Sequence, residues 1–422
     1  MNTKAAFIPA DILLPKNGTD MTKWSVVACD QYTSEREYWE KLNEYVGVAP
    51  STLRLTLSEI YLEDDDVEAR IKNINAAMDK YLESEIFTEY KDTFIYVERK
   101  LKNGMLRRGI VGKLDLESYE YTVGSKSLTR ATEGTVTDRI PPRIKVRENA
   151  ALELPHIMVL IDDPQKTVIE PLAEKTKSLK KVYDFEMNCE GGHLTGYLTN
   201  EDENKRITKS LEKLGSIESC AEKYNIEKDP FLYAMGDGNH SLATAKEYYR
   251  RIKSKLGDEA LTHPSRYALV EIVNLHDTSL EFEAIHRVVY NIDTKHMMDE
   301  LCKYFDDIKI TSAETATITV ITENGEISYV IKDKNCVVEA GIIQSFIDWY
   351  TDKFGGKTDY IHGDDVTVQI GSKPKNAGFL LPAIKKSDLF KRIIDGGALP
   401  RKTFSMGESC DKRFYLEARK IK

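Results

Sequence analysis

Two early stretches carry apolar residues at helical spacing. Ser34-x-x-Glu37 has the form of a capping box, and the run through Tyr38, Trp39, Leu42 and Tyr45 to Gly47 predicts a helix with one buried face. A second helix is predicted around Val67 to Ile86, with Ile71, Ile74, Met78 and Leu82 on its apolar side. The period then shortens. Thr93 to Val97 and Met105 to Leu114 flank Asn103-Gly104, a strong hairpin signal, and Glu120 to Val123 reads as a strand. The apolar run His156 to Ile161, a helix near Thr167 to Leu179, and a second hairpin from Val182–Met187 and His193–Leu198 follow. Phe231 to Ala234 reads as a short buried strand, Leu242 to Tyr249 as a helix, and Arg266 to Val273 as another strand.

Strands and helices mixed in this way predict an α+β fold on a mixed sheet, since regular β-α-β winding is absent. The expected organisation is a main domain over 1–290, an appended α+β subdomain over 291–357, and a segment over 358–422 that returns to the main domain.

The chain has 422 residues and a formal charge of −9, which argues against a general nucleic-acid binder. Its six cysteines, Cys29, Cys189, Cys220, Cys302, Cys336 and Cys410, are scattered without a C-x-x-C pair, so reduced thiols are expected. Met1 to Pro9 lacks a long apolar core and no later stretch approaches a membrane span, giving a cytoplasmic location by default. The expected partners are a small-molecule substrate, with room for a homo-oligomer, and neither nucleic acid nor membrane.

The densest candidate chemistry is Asp237-Gly238-Asn239-His240-Ser241, at a strand-to-helix turn. Such a turn offers backbone N–H groups and the positive end of a helix dipole to an anion. Asp237 adds a metal ligand or proton acceptor, and His240 a group that titrates near neutrality. The same glycines and polar residues would also serve a plain tight turn and helix start. Gly236-x-Gly238 only superficially suits a dinucleotide fingerprint, because Ser241 stands at the third glycine. If Pro142 opens a helix, Arg143 and Arg147 share a face and could clamp an anion, or pair with Glu148 and Glu153. His286-Arg287, the loop Leu399 to Gly407 with Lys402 and Thr403, and the strand-end pair Asp30 and Gln31 complete the candidates. The Walker A, HExxH, GxSxG and kinase HRD signatures are all missing.

These residues carry a resemblance. The chain is similar, over nearly its whole length, to the bacterial and archaeal family called domain of unknown function 1015. That family's Asp-Gly-His-His-Arg turn resembles Asp237 to Ser241, and its His-Glu-x-Thr followed by Asp-Arg resembles Thr132-Glu133-Gly134-Thr135 and Asp138-Arg139. Its Thr-His-Arg resembles Ile285-His286-Arg287, and its Pro-x-Lys-Ser/Thr resembles Pro400-Arg401-Lys402-Thr403. The turn also resembles that of the ParB and sulfiredoxin superfamily, which includes free-serine kinases. This implies a ParB/sulfiredoxin-like core and a nucleotide-dependent phosphotransferase, a small-molecule kinase acting on an alcohol group, with free L-serine the most specific acceptor. ATP or ADP and Mg²⁺ are the implied cofactors. Asp237 would hold Mg²⁺ or take the substrate proton, His240 would bind a phosphate oxygen or relay a proton, and Glu133 is the second candidate base. Gly238, Asn239, Ser241, Arg139, Arg143, His286, Arg287, Lys402 and Thr403 would surround the nucleotide phosphates. Asn239 and Ser241 replace a histidine and an arginine of the family turn, and Thr132 replaces a common histidine, so phosphate charge must be met by Arg139, Arg143, Arg287 or Lys402. The alternatives are a regulatory module that binds nucleotide or metabolite without transfer, and a metal-dependent hydrolase built on Asp237, His240 and another carboxylate.

Overall fold

The computed structural model describes residues 5–122, 124–332 and 338–422. Cys336 and Val123, the end of one expected strand, lie outside these residues. The chain divides into two compact units, one of 1–280 with 408–422 and one of 281–407. The class is α+β, built on mixed and antiparallel sheets.

The first unit is organised around a ten-stranded mixed sheet. Its strands run in the order Lys180–Glu186, His193–Leu198, Ile95–Lys100, Leu106–Asp115, Tyr267–Asn274, Met158–Ile161, Tyr233–Asp237, Thr129–Arg130 and Tyr119–Glu120, with Phe7–Ile8 paired onto Leu106–Asp115. Side-chain alternation divides the core between the two faces of this sheet. Ile95, Val97, Val111 and Leu269 point into one apolar layer with Trp39, Leu42, Ile71, Ile74 and Met78 of the helices Arg36–Val46 and Val67–Glu83. Tyr96, Ile110, Val270 and Ile272 point into the other, with Ile207 and Leu211 of Glu201–Leu214 and Leu242, Ala245 and Tyr249 of Asn239–Leu256.

Both expected hairpins form, with Glu98 opposite Arg108 in one and Asp184 opposite Thr195 in the other. The helix expected near Thr167 to Leu179 is only a 3-10 segment, Glu170–Lys175. Pro171 lacks an amide donor, and the Asp163 carboxylate already takes the N–H groups of Thr167 at 2.6 Å and Val168 at 2.9 Å. The first long helix starts at Arg36 without a side-chain cap, so the expected capping box at Ser34 does not form. Tyr32 stacks on Tyr38 with ring centroids 3.8 Å apart, and this aromatic contact fixes the helix entry instead.

After the second unit, 408–422 rejoins the first through buried charge. Arg413 pairs with Glu271 at 3.0 Å and Glu417 at 2.6 Å, and the Tyr183 hydroxyl donates to Glu417 at 2.7 Å. Arg419 and Arg147 both grip Glu153. Burial pushes the Glu153 carboxyl up, but Arg419 and then Arg147 outweigh it and leave its pKa lowered.

The second unit has a seven-stranded antiparallel sheet in the order Ile308–Ile310, Gly325–Ile331, Ile318–Thr322, Asn376–Leu380, Phe282–Tyr290 and Lys357–His362, with Phe404–Met406 also paired to Phe282–Tyr290. The helix Glu339–Phe354 buries Ile342, Ile343, Phe346, Ile347 and Tyr350. Among the described residues, Cys29, Cys189, Cys220, Cys302 and Cys410 are free thiols. No helix of the described residues is long and apolar enough to cross a membrane.

Candidate functional site

Tyr233–Asp237 ends at the corner that the sequence singled out. Gly238 follows with φ 79°, in the left-handed region, and opens the 18-residue helix Asn239–Leu256. A Cβ there would sit 3.1 Å from Ile157 Cγ1, so both conformation and space select glycine. No side chain caps the helix, and the Leu242 amide donates to Gly238 O at 3.0 Å, so the electropositive end of the helix lies at this corner.

Asp237 Oδ1 accepts the Gly238 N–H at 3.0 Å, while Oδ2 faces Lys412 Nζ at 3.5 Å. The Asp237 side chain is 24% exposed and that of Lys412 15%, so the corner is recessed but not sealed. Asn239 is half-buried, and its Oδ1 has no hydrogen-bond partner.

Parallel pairing sets the second side of the site. Thr129–Arg130 lies alongside the central strand with Arg130 opposite Ala234, so residues 131–136 leave the sheet at the same end as Asp237 to Ser241. The Val136 N–H donates to His240 Nε2 at 3.4 Å, which places the loop holding Glu133 against the turn. Thr132 is fully buried in this loop, and its hydroxyl has no hydrogen-bond partner.

The helix Ile140–Glu148 begins with Pro141 and Pro142 in its first turn and packs Ile140 and Ile144 on Ala243. Its two arginines separate. Arg143 Nε donates to Glu59 Oε1 at 2.9 Å and Nη1 to Arg139 O at 2.6 Å, while Arg147 turns to the buried Glu153. Arg139 is exposed. The Glu59 amide donates to Cys29 O at 2.8 Å, which ties the Cys29–Gln31 strand end to the same cluster.

Ser241, one of the expected phosphate ligands, meets two residues that were not among the candidates, His156 and Tyr415. Ser241 Oγ lies 2.8 Å from His156 Nε2, His156 Nδ1 lies 3.0 Å from the Tyr415 hydroxyl, and that oxygen accepts the Cys29 N–H at 3.2 Å. His156 lies two residues before the start of the strand Met158–Ile161, which pairs antiparallel with Tyr233–Asp237, and this delivers it to the corner. Lys412 and Tyr415 arrive from the returning segment. The one available signal was a histidine at the mouth of an apolar strand.

The other expected ligands belong to the second unit. His286 Nε2 meets Asp364 Oδ1 at 2.7 Å, and its Nδ1 accepts the Leu381 N–H at 3.1 Å. Burial pushes the His286 pKa below its ordinary value despite Asp364. Arg287 is fully buried, donates to Gln344 Oε1 at 3.0 Å and to the carbonyls of Ile285 and Arg401, and lies over the Tyr360 ring. Thr403 donates to Pro400 O at 2.5 Å, and Lys402 takes φ 57° in an exposed position. Among the described residues no group of three or more His, Cys, Asp or Glu side chains could hold a metal ion.

Solved structures to which the chain is similar include free serine kinase in complex with AMP, at 10% identity and a TM-score of 0.40, covering 73% of this chain and 91% of that one. A mutant free serine kinase in complex with ADP matches at 9% identity and a TM-score of 0.40 over the same shares, 73% and 91%. A conserved hypothetical protein from Pyrococcus furiosus matches at 10% identity and a TM-score of 0.36, covering 74% of this chain and 94% of that one. No curated protein matches the chain. The model of the family described as protein of unknown function, DUF1015, matches residues 13–350, and the chain belongs to that family.

Proposed function

We propose that the protein is a nucleotide-dependent phosphotransferase that moves a phosphoryl group to the hydroxyl of a small metabolite. The observation that carries this reading is the uncapped start of the helix Asn239–Leu256 beside the Asp237 carboxylate and the Lys412 ammonium. Phosphoryl transfer depends chiefly on positioning and charge neutralisation, and a helix N-terminus with a lysine supplies both to a phosphate. ATP and ADP are the donors to test. Free L-serine is the first acceptor, on the resemblance of the Asp-Gly-x-His turn to that of free-serine kinases.

In this reading Asp237 takes the acceptor proton or one coordination position of Mg²⁺, and His240 holds a phosphate oxygen or relays a proton. Glu133 is the second candidate base. A single carboxylate fits a magnesium ion that arrives on the nucleotide phosphates, because Mg²⁺ keeps most of its shell from phosphate and water. The ion would supply neutralisation of the phosphate charge. Arg139 and Lys412 add cationic charge from the first unit, and Arg143 orders the Arg139 backbone through its bond to that carbonyl.

Purified protein with ATP or ADP, Mg²⁺ and a panel of hydroxyl metabolites tests the reading. It predicts acceptor-dependent turnover that Asp237→Asn and His240→Ala both reduce. Turnover unchanged in both variants overturns the assignment. Nucleotide binding without any product would favour the regulatory module in which the same corner grips phosphate without transferring it.

A further inference from the structure

Ser241, His156 and Tyr415 form a chain that the phosphotransferase reading does not use. The serine hydroxyl stands 2.8 Å from one ring nitrogen of His156, and the other ring nitrogen stands 3.0 Å from the Tyr415 oxygen. His156 is 8% exposed and Tyr415 2%, whereas Ser241 is only half-buried. The buried end of the chain is therefore fixed and its reactive end is reachable.

The Tyr415 oxygen already accepts the Cys29 N–H at 3.2 Å, and it can accept a second hydrogen from His156 Nδ1 at 3.0 Å. With the hydrogen on Nδ1, Nε2 offers its lone pair to the Ser241 hydroxyl. This is the geometry of a hydroxyl nucleophile with a general base, the base oriented by a third group.

We propose that Ser241 is a nucleophile activated by His156, and that it accepts a phosphoryl group from a phosphoric anhydride. Ser241 Oγ forms a bond to phosphorus, its proton passes to His156 Nε2, and the phosphorus–oxygen bond to the leaving phosphate breaks. The product is a phosphoserine in the first turn of the helix Asn239–Leu256, where the helix dipole favours the added negative charge. Tyr415 is a positioning residue that acts through His156. The identity of the donor rests on the phosphotransferase reading, but the activation of Ser241 does not.

Two measurements on the full chain separate these parts. An alkyl fluorophosphonate carries electrophilic phosphorus with fluoride as leaving group and needs no nucleotide site. It should modify Ser241, as read by peptide mass spectrometry, with no modification in Ser241→Ala. His156→Gln should slow labelling by about 100-fold or more, the usual contribution of a general base. Tyr415→Phe, which keeps the ring and guards against a misfolded histidine variant, should lower the limiting labelling rate without moving the half-saturating reagent concentration. Absence of a Ser241 adduct in folded wild type, or labelling of His156→Gln and Tyr415→Phe at the wild-type rate, overturns the activated nucleophile and leaves the phosphotransferase reading intact. In the second measurement, [γ-³²P]ATP with Mg²⁺ should give acid-stable label on Ser241. A fluorophosphonate adduct with no label from ATP overturns the assignment of Ser241 as the phosphoryl acceptor.

Discussion

The two units treat their polar residues differently. In the second, Arg287 is wholly enclosed and spends its donors on fixed carbonyl and amide oxygens, and His286 is held between Asp364 and a backbone amide. At the corner of the first, Asp237 stays about a quarter exposed, the helix start has no side-chain cap, and Asn239 Oδ1 has no hydrogen-bond partner. Enclosed and saturated groups report on folding, whereas recessed groups at an electropositive helix start are available to a ligand. The contrast explains why a motif of similar residue types can be scaffold in one place and candidate site in another.

Substitutions in each unit test the contrast. Arg287→Ala should cost the most stability, about 3–5 kcal/mol by denaturant unfolding, because it leaves a cavity and unpaired buried acceptors. Asp237→Asn should do the reverse, changing stability little while lowering nucleotide turnover by about 100-fold or more. A loss of stability there comparable to that of Arg287→Ala would erase the distinction. Gly238→Ala should cost about 1–2 kcal/mol from left-handed strain, with some addition from the approach to Ile157.

Acid gives the subtlest comparison. The folded pKa of His286 is below its ordinary value of 6.5, so the unfolded chain binds its proton more readily. That stabilising contribution is present above pH 6.5 and is lost as pH falls from there through the folded pKa. Glu153 is depressed from 4.5, so the stability it confers is present above pH 4.5 and lost only below it. Unfolding monitored against pH should therefore show a first loss that His286→Gln removes and a second, more acidic loss that Glu153→Gln removes.

Local chemistry made much of this legible. The hairpin at Asn103-Gly104 and the strand–turn–helix around Gly238 follow from residues adjacent in sequence, where turn preference and apolar period act directly. The helix near Thr167 failed because Asp163 competes for the amides, a side-chain effect that period alone does not register. Arg143 and Arg147 were placed correctly on one helix, yet Glu59 and Glu153 draw them apart. His156 and Tyr415 were invisible for a different reason. They meet Ser241 and each other across 85 and 259 residues of chain, and no local pattern encodes such a meeting.

The placement of 408–422 in the first unit has a consequence for biosynthesis. A ribosome must finish the whole of 281–407 before Lys412 and Tyr415 emerge, so the sheet that presents Asp237 is translated well ahead of its lysine and of the tyrosine that orients His156. A chain interrupted anywhere inside the second unit carries the turn but lacks both groups. Competence at this corner is thereby coupled to completed translation of the intervening unit.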